Sequence, residues 1–93
     1  MVKHIVLFKL KLQSDKERAT KALLEMKGKI EGLIDIEVGS DFLASARSYD
    51  LALTCTLKDK EALEFYQQHP VHQPVKKLMA EIREGSVSCD YEI

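Results

Sequence analysis

Residues 3–12 run Lys3-His4-Ile5-Val6-Leu7-Phe8-Lys9-Leu10-Lys11-Leu12 and read as an extended strand with two usable faces. Side chains alternate across a strand, so His4, Val6, Phe8, Leu10 and Leu12 fall on one face and Lys3, Ile5, Leu7, Lys9 and Lys11 on the other. The first face is apolar except for His4, and the second is apolar in its middle. A strand of that kind belongs inside a sheet and wants cover on both sides.

The segments around it say what the covers are. Ser14-Asp15-Lys16-Glu17 has the spacing of a capping box, in which the Ser14 hydroxyl accepts from the Glu17 N–H and Glu17 reaches back. Ala19, Ala22, Leu23, Met26 and Ile30 then recur at helical spacing, with Gly32 as the stop. Glu17, Lys21, Glu25 and Lys29 alternate in sign at i,i+4 on the outer side, which reads as a solvated face. Ile34, Ile36 and Val38 alternate with Asp35 and Glu37 as a second strand. After a loop over 39–48, a third strand over 49–57 places Leu51, Leu53, Cys55 and Leu57 together.

Asp59 is positioned to cap a helix containing Ala62, Leu63 and Tyr66. Pro70 interrupts that helix, lacking an N–H and clashing with the turn before it, and Pro74 suits the first turn of a continuation. Val75, Leu78, Met79 and Ile82 form its apolar stripe, which Gly85 is expected to end. Residues 86–93 close as a strand, with Val87, Cys89, Tyr91 and Ile93 on one face and Ser86, Ser88, Asp90 and Glu92 on the other. The order β-α-β-β-α-β specifies an α+β, ferredoxin-like subunit, one domain over 1–93.

In that topology both helices cover one sheet face. The opposite face carries Ile5, Leu7, Val87, Cys89 and Tyr91, an apolar patch of the size that marks an interface. A homodimer packed sheet to sheet is therefore expected. For a chain of 93 residues, surface scaling gives a folded area of roughly 5,500 Å², one modest core with little stability to spare.

Composition excludes other classes. Fourteen Lys+Arg stand against fifteen Asp+Glu, mixed along the chain, so no basic stripe addresses nucleic acid. There is no apolar run long enough for a membrane span, and the strand-like amino terminus does not resemble a signal peptide. Two cysteines, Cys55 and Cys89, are too few and too far apart for a disulfide scaffold or zinc site. Both read as buried small hydrophobes in a reducing, cytoplasmic setting.

Chemistry concentrates in Tyr66-Gln67-Gln68-His69-Pro70-Val71-His72. Histidine exchanges protons near neutral pH, and a tyrosine hydroxyl can hold an oxyanion. Tyr66 and His69 are i,i+3 neighbours, while the proline kink decides where His72 points. The competing structural reading has these histidines capping carbonyls freed by Pro70 and Tyr66 filling the core. His69-x-x-His72 could chelate a metal but lacks a third ligand, so no metal is expected. Gly28, Gly32, Gly39 and Gly85 are isolated and make no phosphate cradle. His4 is the odd residue on its face; antiparallel pairing of the first and last strands would set it near Asp90 or Glu92, where a carboxylate can fix its tautomer.

Val2-Lys3-His4-Ile5-Val6-Leu7-Phe8, Arg47-Ser48-Tyr49-Asp50-Leu51, Tyr66-x-x-His69-Pro70-x-His72 and Val87-Ser88-Cys89-Asp90-Tyr91-Glu92 together resemble the stress-responsive dimeric α/β-barrel (Dabb) family over essentially the whole chain. The tyrosine–histidine–proline–histidine segment is the most specific part. The resemblance implies two ferredoxin-like subunits joined by their sheets into a barrel, with a cavity between sheet and helices. A plant branch of that family includes polyketide cyclases acting by aldol condensation, with a tyrosine and a histidine as the working pair. Those positions match Tyr66 and His72, with His4 at the cavity wall and Asp90 beside it. Leu51 stands where the cyclases carry another histidine, a departure that speaks against that specific reaction.

The expectation is thus a small-molecule-binding dimer without cofactor, its apolar or phenolic/carbonyl ligand held by His4, Val6, Phe8, Leu51, Leu53 and Asp90. His72 would act as base and Tyr66 as enolate stabiliser. A non-catalytic stress-response dimer, a cofactor-free monooxygenase and a haem binder are the other readings.

Overall fold

A computed structural model describes all of residues 1–93. The elements are β1 (Val2–Leu10), a 3-10 turn (Gln13–Asp15), α1 (Lys16–Leu24), β2 (Leu33–Ser40), β3 (Leu51–Leu57), α2 (Lys60–Gln68), α3 (His72–Ile82) and β4 (Arg83–Glu92). The sheet order is β2-β3-β1-β4, with every neighbouring pair antiparallel. This is the ferredoxin-like α+β arrangement, and the two-faced strand β1 sits inside the sheet as its alternation requires.

The core lies between sheet and helices. Leu51, Leu53, Cys55 and Leu57 of β3 are all buried, and Ala19, Leu23, Tyr66, Val75, Met79 and Ile82 close down on them from the helices. On the opposite sheet face Leu7, Val87 and Tyr91 remain 36%, 49% and 45% exposed, so nothing in the subunit covers it. The surface area of 5981 Å² exceeds the scaling value, as an uncovered face should make it.

Asp59 caps α2 as expected, its Oδ1 accepting from the Ala62 N–H at 2.8 Å. Pro70 separates α2 from α3, and Pro74 falls in the first turn of α3.

Six local expectations are corrected. The Ser14 capping box does not form, because the Asp50 carboxylate ties up the approach to α1: it accepts from Leu10 N–H at 2.7 Å and from Gln13 Nε2 at 2.8 Å. The chain winds into a 3-10 turn there, and Asp15, in helical φ/ψ, makes no side-chain cap. Burial pushes the Asp50 carboxyl up, but these hydrogen bonds and the nearby Lys9 and Lys16 leave it below its usual value. Leu12, assigned to the buried face, lies beyond β1 and is exposed.

Regular helix in α1 stops at Leu24, although Met26 and Ile30 stay buried through the turns that follow. A register shift between Leu33 and Asp35 turns Ile34 outward and puts Leu33 into the core. Gly85 does not end a helix either. The chain passes directly from Ile82 into β4, where Gly85 pairs with Lys9 and a second shift absorbs Glu84. Finally, Cys89 is exposed, since its place is on the uncovered face; Cys55 is buried.

Candidate functional site

The site grows out of the missing hydrogen bond at Pro70. In an unbroken helix the Tyr66 carbonyl would accept from the N–H of residue 70, but proline has none. The His72 ring fills that place, with Nδ1 lying 3.0 Å from the Tyr66 carbonyl oxygen. A carbonyl can only accept, so His72 Nδ1 carries a proton and Nε2 is the bare nitrogen. The same break closes with His72 N–H donating to the His69 carbonyl at 2.9 Å.

Pro70 thus swings His72 inward, and its ring stacks on Tyr66 with centroids 4.1 Å apart. Tyr66 meets the edge of His4 at 5.8 Å. Beneath it, Cys55 is the β3 residue paired with His4, and its thiol donates to Tyr66 Oη at 3.7 Å. The Tyr66 hydroxyl proton is left without a protein acceptor. His4 Nδ1 bonds the carboxylate of Asp90, its register partner on β4. Nδ1 therefore holds a proton in His4 as well.

His4, Val6, Phe8, Leu53, Tyr66 and His72 line one cavity of about 450 Å³ between the sheet and α3, within the range of small-molecule sites. Every buried side-chain nitrogen and oxygen in the protein has a partner. The unpartnered Nε2 atoms of His4 and His72 must therefore meet open space, and the cavity is that space.

The sequence-derived site residues divide three ways. Six of them converge on the cavity. Asp90 does not line it; it stands behind His4 as the carboxylate that orients the ring. Leu51 belongs to the sealed core opposite Phe8 and is not part of the cavity wall. His69 points outward, accepting at Nδ1 from Val71 N–H at 3.1 Å, and packs on exposed Phe65. A larger hollow of about 560 Å³ beside Asp90 is walled largely by Lys60, Glu61, Glu64 and Glu92 of the surface and contains no such convergence of groups.

Sequence reasoning missed Gln67, Lys76, Arg83, Ser86 and Ser88, which also line the cavity. Lys76 keeps helical spacing from His72 on α3, but Arg83 is the first residue of β4, so no single helical pattern announces the pair.

Electrostatics follow from burial. Burial drives the His72 imidazole down to about 4, with Lys76, His4 and His69 adding to the effect and the Tyr66 carbonyl opposing it. The ring is uncharged at neutral pH. Burial likewise raises the Tyr66 phenol far above its ordinary value and the Cys55 thiol to about 11, so both stay protonated. The arrangement offers an uncharged nitrogen base stacked against a phenol donor. No group of three or more His, Cys, Asp or Glu side chains is placed to hold a metal ion.

The fold and this cavity define a ferredoxin-like α+β protein whose pocket lies between sheet and helices. Residues 2–93 match the family described as the stress responsive A/B barrel domain, and the chain belongs to that family, as its residue pattern implied. An uncharacterised protein of Streptomyces coelicolor is 33% identical over 97 residues, covering 99% of each chain. A dimeric protein of unknown function with a ferredoxin-like fold from Bacteroides fragilis is 31% identical, superposes with a TM-score of 0.83, and matches 99% of this chain and 95% of its own. A dimeric ferredoxin-like protein of unknown function from Thermobifida fusca superposes at 0.88 with 24% identity, over 99% of this chain and 90% of its own. No helix is long and apolar enough to cross a membrane.

Proposed function

We propose that the protein is a homodimeric α/β barrel that binds a small apolar or phenolic carbonyl compound in the His4–Tyr66–His72 cavity and moves a proton next to its carbonyl group. The observation that carries this reading is the state of His72: Nδ1–H is spent on the Tyr66 carbonyl, and an uncharged Nε2 is left facing the cavity. In the reaction Nε2 takes a proton from the carbon adjacent to the carbonyl. The Tyr66 hydroxyl, held protonated by burial and lacking an acceptor, donates to the enolate oxygen that forms.

A base held near 4 is weak in the empty cavity. The enolate's negative charge beside the new imidazolium offsets the burial that weakened it, so the pair strengthens as the reaction proceeds. Asp90 keeps the His4 ring oriented, with Nε2 available to position the ligand. Dimerisation through the uncovered sheet face is supported by the dimeric state of the Bacteroides fragilis and Thermobifida fusca proteins. The free thiols of Cys55 and Cys89 suit a reducing cytoplasm.

The test is deuterium uptake from D2O at the carbons flanking the carbonyl of 4-phenylbutan-2-one, followed by NMR. Wild-type protein should accelerate uptake, His72→Asn should lose about 100-fold or more, and Tyr66→Phe should be intermediate. Binding of the ketone without any accelerated uptake would make the protein a binding module and refute the proton-transfer reading.

A further inference from the structure

The cavity is electrically one-sided. Its wall of fifteen residues includes Lys76 and Arg83 and not a single Asp or Glu. In a chain where acids outnumber bases by fifteen to fourteen, that separation calls for a chemical reason.

Of the two cations, Lys76 is one helical turn from His72 and bonds the carbonyl next to Tyr66, whereas Arg83 sits at a defined distance from that histidine–tyrosine end. Along β1 the wall runs from His4 to Phe8, about 13 Å at ~3.3 Å per residue. Along α3 it runs from His72 to Ala80, about 12 Å at ~1.5 Å per residue. The two rulers agree because His72 lies over the start of β1 while Arg83 pairs with Leu10 at its end. Between the ends the wall is Val6, Leu53, Leu23 and Met79.

At the far end the guanidinium of Arg83 is steadied by Nη1 donating to Ser86 Oγ, itself a wall residue. That contact uses one donor of a fork with five, leaving the planar edge suited to a carboxylate. Lys76 Nζ donates to the Gln67 carbonyl along the cavity rim and keeps two further donors. Neither cation is paired with a carboxylate: the ion pairs of the protein join His4 to Asp90, Arg18 to Asp15, Lys27 to Asp35 and Lys60 to Glu92.

We infer that the ligand is a two-headed organic acid, with a carbonyl at the His4–Tyr66–His72 end and, about 12 Å away across an apolar body, a carboxylate held by Arg83. The inference rests on the binding site proposed above and specifies its substrate class. It also gives the weak base a reason for its place. The carboxylate, anchored at a distance, sets which carbon of the body lies against His72 Nε2.

The experiment measures binding of three matched probes by calorimetry: 10-oxoundecanoate, its methyl ester and undecan-2-one. Each is titrated into wild-type protein and into the Arg83→Gln variant, with histidine ring shifts locating the bound probe. Arg83 is exposed, so the variant should melt with the wild type. The inference expects 10-oxoundecanoate to bind wild type at least tenfold tighter than the ester, with His72 shifted, and the Arg83→Gln variant to bind the two equally. Equal affinity of acid and ester for wild type would overturn the anionic head while leaving the cavity reading intact. A preference for the acid that survives in the Arg83→Gln variant would place the anion elsewhere and overturn the assignment to Arg83. Failure of all three probes to bind would overturn the inference and the proposed site together.

Discussion

Acidification from pH 7.5 to 4.5 is expected to cost the protein roughly 2 kcal/mol of stability through His72 alone. In the unfolded chain a histidine titrates near 6.5, whereas burial holds His72 down at about 4 in the folded protein. The native state therefore binds fewer protons than the unfolded one between these values. Stability is whole above 6.5 and drains as the pH falls toward 4. At about 1.4 kcal/mol per tenfold difference in proton affinity, the complete span is worth roughly 3 kcal/mol. Stopping at pH 4.5, and allowing for water entering the cavity, leaves about 2.

Asp35 and Asp50 also lie below their ordinary value, Asp35 through Lys27 and Asp50 through hydrogen bonds and nearby lysines that outweigh its burial. Their contributions drain at lower pH, because an unfolded aspartate titrates near 3.8. The assay is urea unfolding at a fixed protein concentration across this range, on wild type and His72→Asn. Asparagine keeps a donor where Nδ1 stood but cannot titrate. The difference between the two curves should widen by about 2 kcal/mol as the pH rises from 4.5 to 7.5. Curves parallel to within about 0.5 kcal/mol would show that His72 is not held uncharged by its surroundings.

Three further outcomes are expected. Long-range proton–nitrogen spectra at neutral pH should show a protonated Nδ1 in His4 and His72 and a bare one in His69, which accepts from Val71. Gly32→Ala should destabilise by about 3 kcal/mol and Gly28→Ala by only about 1, read by thermal melting. Both have positive φ, but a Cβ at Gly32 meets the Ala62 Cβ at 2.8 Å, whereas one at Gly28 meets nothing within 4 Å. Val87→Lys on the uncovered face should convert the proposed dimer to a folded monomer in sedimentation velocity at micromolar concentration, whereas an unchanged mass would place the interface elsewhere.

The fold was readable because its strands obey strict alternation. His4, Phe8 and Leu10 point to the helices, and Val87 and Tyr91 point away, as a period of two requires. What escaped were features set by distant partners. Ser14 loses its cap to contacts made by Asp50, and Ile34 and Gly85 are re-aimed by register shifts that depend on the opposing strand. Periodicity within a segment carries no record of such shifts.

The site shows the same division. Pro70 announces a vacant acceptor, and His72 is the nearby side chain able to use it, so the Tyr66–His72 pair could be found locally. Lys76 and Arg83 read as ordinary solvated charges, since their nearness to the cavity depends on α3 running alongside β1. Leu51 enters the expected site as the position where the cyclases it resembles carry a histidine, but of the two β3 leucines only Leu53 lies where the helices leave room.

The most direct test of the ligand-binding reading is a carbon–proton NMR titration of the three histidine rings with phenols, quinones and diketones. The account requires one chemotype to shift His72 and His4, whose rings border the cavity, while His69, outside it, stays still. A His72 ring that ignores every compound, or that moves only in step with His69, would contradict a binding site between sheet and helices.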